Sequence, residues 1–217
     1  MARTGVSFGR GSARFIQQPT VLVICEDSKS GKSYLTDAAV HFRAHAKVEI
    51  AHEGVTHPSG IVAQAIKKQK YYDKVFCTID RDSHACFDKA LEMAKPHKKI
   101  TIIPSYPCFE YWLILHFCYS RKPYNSAGKL SAGDILSKDL KTKKGMENYI
   151  KGGAQGYFKK LLGVPFETAR KNSPKALRDA LSNNEMNPST RIHELLDYFE
   201  ELATPKEIGT VIKDIDQ

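Results

Sequence analysis

Thr20-Val21-Leu22-Val23-Ile24-Cys25-Glu26-Asp27-Ser28-Lys29-Ser30-Gly31-Lys32-Ser33 is the stretch from which the fold can be read. Its first six residues form a short, β-branched apolar run, the pattern of a strand buried on both faces. Charged residues and a glycine follow at once, and a helix is predicted over residues 33–44. A doubly buried strand that feeds a helix is the first half of a βαβ unit. The alternation then repeats. Strands are predicted over residues 46–51, 74–79 and 99–103. Helices are predicted from Pro58 to about residue 70, over 84–95, and over the apolar segment 108–118 that Pro107 opens. The expected fold is α/β, with a mainly parallel sheet of about four strands flanked by helices on both faces.

After Arg121 the strand signal stops, and helices are predicted over 134–150, 153–162, 166–182 and 190–203. The last carries Ile192, Leu195, Leu196, Phe199 and Leu202 as one apolar stripe. Three parts are therefore expected. Residues 1–19 would be a flexible basic arm rich in Gly, Ser and Arg, residues 20–120 the α/β core, and residues 121–217 a helical extension packed on that core.

Composition limits the function classes. The chain has 217 residues, 41% hydrophobic and 10% aromatic, which excludes a largely disordered or fibrous protein. It can bury a core without disulfide or metal staples. Five cysteines with no Cys-x-x-Cys pair suit a reducing, cytoplasmic setting. The first residues lack the apolar core of a secretory signal, and no apolar run has the roughly 20 residues of a membrane span. A formal charge of +9 favours a polyanionic partner. That charge is uneven: residues 121–178 carry a net +10 and residues 179–217 a net −6. Tyr149, Tyr157 and Phe158 interleave with the central bases, as on a single-strand or RNA-binding surface, and solvated amphipathic helices would look similar. Lys141, Lys143 and Lys144 are the densest part of the segment.

In an open parallel sheet, sites lie beyond the carboxyl ends of the strands. Here those ends carry Glu26 and then Asp80-Arg81-Asp82. Asp80 and Asp82 face the same side in extended backbone. With Glu26 they would form a carboxylate cluster that needs cations to stay ionised, and all-oxygen ligation suits Mg²⁺ or Mn²⁺. Each acid alone could equally serve a turn or a cap. Three of them in a basic chain point to a metal site. Glu110, in the first turn after Pro107, suits a catalytic or a helix-dipole role equally well. His84 is an auxiliary candidate, and His116 reads as a core histidine. Lys29, Lys32 and Arg81 could neutralise a phosphate. A nucleotide-binding P-loop competes for residues 26–33, since Gly31-Lys32-Ser33 fits its end. Glu26 stands where the first glycine is required and argues against it.

Four motifs together resemble one family: Val21-Leu-Val-Ile-Cys-Glu26, Ile79-Asp80-Arg81-Asp82-Ser-His84, Pro107-Cys-Phe-Glu110-Tyr-Trp112, and Asn187-Pro188-Ser189-Thr190. This is the RloB-like protein family, whose core resembles the Toprim fold. The resemblance implies a Toprim-type metal site, with Glu26 as the glutamate after the first strand and Asp80 and Asp82 as the Asp-x-Asp pair. Phe109, Glu110 and Trp112 take the family's Phe-Glu-x-Trp positions. Relatives often carry a Glu-Gly-x-x-Thr-Glu sequence after the first strand, and the second glutamate has no counterpart here. The resemblance also implies an antiphage effector paired with an ABC- or AAA-type ATPase. The expectation is a Mg²⁺-dependent nuclease acting on DNA or RNA, tRNA included. The alternatives are a noncatalytic nucleic-acid-binding or regulatory subunit and, behind it, an NTP-binding protein. Self-association is left open.

Overall fold

A computed structural model describes residues 19–44, 47–82, 84–153 and 156–204. The expected basic arm, but for Pro19, lies outside the described residues.

Among the described residues the sheet has five strands: β1 (Val21–Cys25), β2 (Val48–Ala51), β3 (Lys74–Asp80), β4 (Ile100–Tyr106) and β5 (Ser189–Thr190). Their order across the sheet is β2-β1-β3-β4-β5. The pairs β1–β2, β1–β3 and β3–β4 are parallel, and β4–β5 is antiparallel. The fold is thus the α/β class expected, with a mostly parallel sheet and one more strand than the sequence predicts. The missed strand, two residues long, is too short to show a period of its own. It forms only because β4 offers an edge, where Ser105 pairs with Thr190 and Tyr106 with Ser189.

The alternation of β1 builds both layers. Val21, Val23 and Cys25 enter one core, together with Tyr34, Leu35, Trp112, Leu195 and Phe199. Leu22 and Ile24 enter the other, with Ile61, Val62, Phe87 and Ala90. Successive side chains on opposite faces are the pleat's period of two, and both faces are covered. Helices α1 (Ser30–His41) and α8 (Ile192–Ala203) lie on the first face, and α2 (Pro58–Lys68) and α3 (Phe87–Ala94) on the second. Helices α4 (Glu110–Ile114), α5 (Ala132–Lys141), α6 (Tyr157–Leu161) and α7 (Val164–Ser182) extend the first layer.

Helix boundaries depart from expectation where local chemistry intervenes. The helix predicted over 134–150 starts at Ala132, because Ser131 and Asp134 form a reciprocal capping box. It stops at Lys141, and turns follow through Gly145 at φ +84°. These turns carry Tyr149 and Lys151 back toward the strand ends. Helix α8 begins at Ile192, two residues later than predicted, because Thr190 is committed to β5. His116 is the core histidine expected. Its Nδ1 donates to the Trp112 carbonyl and its Nε2 accepts from the Tyr34 hydroxyl, each at 3.0 Å. Burial pushes its pKa down to about 4, so the ring is neutral. Among the described residues no helix is long and apolar enough to cross a membrane.

Candidate functional site

The carboxyl ends of β1 and β3 and the start of α4 meet at a cleft of about 320 Å³. Five carboxylates border it: Glu26, Asp27, Asp80, Asp82 and Glu110. His84 and Lys151 join them. Parallel strands place these groups together because they run in register and end at one edge, with Cys25 opposite Thr78 and Asp80 opposite Ser105.

Glu26 is the most constrained acid. Its Oε2 accepts the backbone N–H of Asp80 at 2.9 Å. Its Oε1 lies 3.0 Å from Nε2 of His84, a distance at which one proton can bridge the two groups. Burial pushes its pKa up to about 7, aided by the charges of Asp82 and Asp27, while the Asp80 N–H opposes the rise. Asp80 is raised well above the ordinary carboxylate range. Desolvation is the first cause, followed by the charges of Glu26 and Glu110, and an N–H from Phe109 works the other way. Asp82 is anchored through its backbone, whose N–H donates to the Pro107 carbonyl at 2.9 Å.

Glu110 is buried and accepts the Tyr149 hydroxyl at 2.8 Å, so the structure places it inside the cleft wall. Lys151 supplies the cation at this wall. Burial works against its charge, but the carboxylates of Glu110, Asp82 and Asp134 outweigh it and hold its pKa above the ordinary value. Ser30 fixes the Lys151 segment by accepting the Gly152 N–H at 2.9 Å. Sequence reasoning missed Lys151 as a site residue, counting it only within the basic central segment. No spacing rule links residue 151 to residue 110. Only the turns after α5 bring them together.

The expected phosphate-neutralising residues disperse. Lys29 is exposed and does not border the cleft. Lys32 sits within α1 and does not border the cleft. Arg81 donates to the His84 carbonyl at 3.2 Å and lines a second cavity beside the first. Lys141, Lys143 and Lys144 border neither cavity. Lys143 is paired with Asp139 at 3.0 Å, and Arg170 is paired with Asp197 and Glu200 of the acidic C-terminal stretch. The central charge is therefore partly neutralised within the fold.

The P-loop alternative meets a structural obstacle. Asp27 accepts the backbone N–H groups of Lys29 at 2.9 Å and Gly31 at 2.7 Å. A phosphate cradle needs such amides free. Here a carboxylate of the same chain holds them.

The fold and this edge of acids define an α/β protein with a carboxylate-rich cleft at the ends of its parallel strands. The family model described as RloB-like protein matches residues 21–199, and the chain belongs to that family. No curated protein and no solved structure matched the chain.

Proposed function

We propose that the protein is a metal-dependent nuclease that cleaves phosphodiester bonds at the Glu26–Asp80–Asp82 cleft. The observation that carries this reading is the concentration of five carboxylates, two histidines (His52 and His84) and one lysine at the carboxyl edge of a parallel sheet. Burial and the neighbouring acid charges together raise Glu26 and Asp80, a divalent cation would favour their ionised forms, and the all-oxygen donor set suits Mg²⁺ or Mn²⁺. Among the described residues no three His, Cys, Asp or Glu side chains are grouped to hold one ion. Small hard cations need less: one or two carboxylates suffice, with waters and substrate phosphate oxygens completing the shell. Asp80 and Asp82 would supply those carboxylates. The bound ion would polarise the phosphoryl oxygens and orient the attacking water.

The chain's own residues divide the remaining work. Glu26, with a pKa near 7 and His84 in contact, is suited to take up or return a proton at neutral pH. Lys151 would neutralise charge growing on the phosphate. Glu110, held by Tyr149, would keep Lys151 charged and positioned. Family membership supports a role as an antiphage effector working with an ABC- or AAA-type ATPase in the cytoplasm, with nucleic acid as the substrate.

The second reading is a binding or regulatory subunit without turnover, and the protein groups that already engage Glu26 and Glu110 favour it. Cleavage of DNA, RNA and tRNA with Mg²⁺ or Mn²⁺, with and without the ATPase, separates the two. Activity that Glu26→Gln and Asp80→Asn both abolish is expected. Full activity in both variants would overturn the site. No cleavage under any condition, together with nucleic-acid binding by wild type and both variants and no thermal shift with either metal, would leave the binding subunit.

A further inference from the structure

The second cavity adjoins the acid cleft and shares Asp82 with it. Its volume is about 250 Å³, and Arg81, Tyr106, Asn125, Ser126 and Asn187 are among its walls. The proposed chemistry at the cleft leaves this cavity unused. It also leaves unused the Asn187-Pro188-Ser189-Thr190 motif, whose Asn187 lines the cavity. β5 fastens that motif to β4, and the Ser105 and Thr190 hydroxyls lie 2.9 Å apart. Asn187 then spends its whole carboxamide on the facing loop. Its Nδ2 donates to the Tyr124 carbonyl at 2.9 Å and to Asn125 Oδ1 at 3.1 Å, and its Oδ1 accepts the Tyr124 N–H at 3.3 Å. Arg121 holds the motif from behind through the carbonyls of Pro188 and Glu185.

This network fixes the orientation of Asn125. With Oδ1 engaged by Asn187, its Nδ2 remains as a pair of donors in an exposed position. The Tyr106 ring supplies an aromatic wall, braced edge-on against Phe87 at 5.3 Å. Arg81, partly exposed, also lines the cavity, its planar guanidinium stacked over Phe87 at 5.2 Å and paired with Asp88 at 3.7 Å. An aromatic ring, a guanidinium and a carboxamide donor within one small cavity are the elements that bind a nucleobase: planar groups for stacking and a donor for ring carbonyl or ring nitrogen acceptors.

We infer that this cavity is a subsite for one unpaired nucleobase, belonging to the nucleotide beside the phosphate held at the acid cleft. The inference rests on the nuclease reading for the position of the phosphate, and it narrows the substrate class to unpaired nucleic acid. A base within a duplex cannot enter a side cavity without leaving its stack. Asn125 and Tyr106 are the base-contacting residues, and Asn187 positions Asn125.

The test is binding of fluorescein-labelled 12-nucleotide DNA and RNA strands, each single-stranded and as a blunt duplex, to full-length Asp80→Asn protein. The single strands are expected to bind at least about tenfold more tightly than their duplexes. Asn125→Ala, at an exposed position that tolerates truncation, should weaken single-strand binding about three- to tenfold and leave duplex binding unchanged. Tyr106→Leu should weaken it further, and circular dichroism checks that this variant folds. The DNA and RNA arms identify which sugar the subsite accepts. Equal affinity for single strand and duplex, or single-strand binding unchanged in Asn125→Ala and in folded Tyr106→Leu, overturns the subsite. Failure of the nuclease reading looks different: wild type cleaves nothing, yet single-strand preference and its loss in Asn125→Ala persist.

Discussion

Replacing Glu26 by glutamine should stabilise the metal-free protein at alkaline pH and leave it nearly unchanged at acidic pH. In the folded protein Glu26 has its pKa raised from 4.5 to about 7, chiefly by burial. A raised acid contributes stability that is complete below its unfolded value and is lost as pH rises through the folded value. The loss therefore begins near pH 4.5 and is complete above about pH 7. That gap corresponds to roughly 3 kcal/mol. Glutamine keeps a carbonyl oxygen for the Asp80 N–H and cannot ionise, but it gives up the pairing with His84. The net gain at pH 8 should be about 1–3 kcal/mol, or several degrees in unfolding temperature for a chain of this size. At pH 5 the two proteins should agree within about 0.5 kcal/mol. The assay is thermal and urea unfolding followed by circular dichroism at pH 5, 6, 7 and 8 in the presence of a chelator. A glutamine variant less stable than wild type at pH 8, or a stability difference independent of pH, would refute the reasoning. Either result would mean that Glu26 is held as a satisfied carboxylate rather than as a desolvated one.

Lys151→Gln should lower cleavage about 10²-fold, read in single-turnover assays, while its unfolding temperature stays close to that of wild type because the residue is exposed. Tyr149→Phe removes the hydroxyl that Glu110 accepts in a buried wall and should cost about 1–3 kcal/mol in urea unfolding. His116, neutral in the core with its pKa near 4, contributes stability that is present above about pH 6.5 and lost as pH falls toward 4. His116→Gln should accordingly flatten the loss of stability between pH 6.5 and pH 4, measured by urea unfolding across that range.

Much of the site was legible because it sits at strand ends. Once Val21–Cys25 and Lys74–Asp80 are read as parallel strands, Glu26 and Asp80 must fall at one edge. Glu110 was ambiguous from sequence, since a first-turn carboxylate suits a helix dipole. Its burial against Tyr149 gives it a place in the cleft. Lys141, Lys143 and Lys144 attracted notice through density alone, and density carries no direction. The lysine that borders the acids is Lys151, isolated in sequence and delivered by turns that the predicted helix over 134–150 had concealed. Arg81 stands between Asp80 and Asp82 in the chain, yet it lines the neighbouring cavity and not the acid cleft, because the strand ends at Asp80 and the chain turns there.

The sequence by itself determined the α/β class, the parallel strands and the row of acids at their ends. These follow from hydrophobic period and strand polarity, which are local properties. The tertiary structure decided the fifth strand, the meeting of Lys151 with Glu110, the capture of the loop amides by Asp27, and the cavity that Asn187 organises beside Asp82. Each of these except the Asp27 turn joins residues about 40 to 105 positions apart, as where Glu110 and Lys151 line one cavity and Asp82 and Asn187 the other. No local pattern encodes such pairings. They exist because packing on a shared sheet edge brings the segments together.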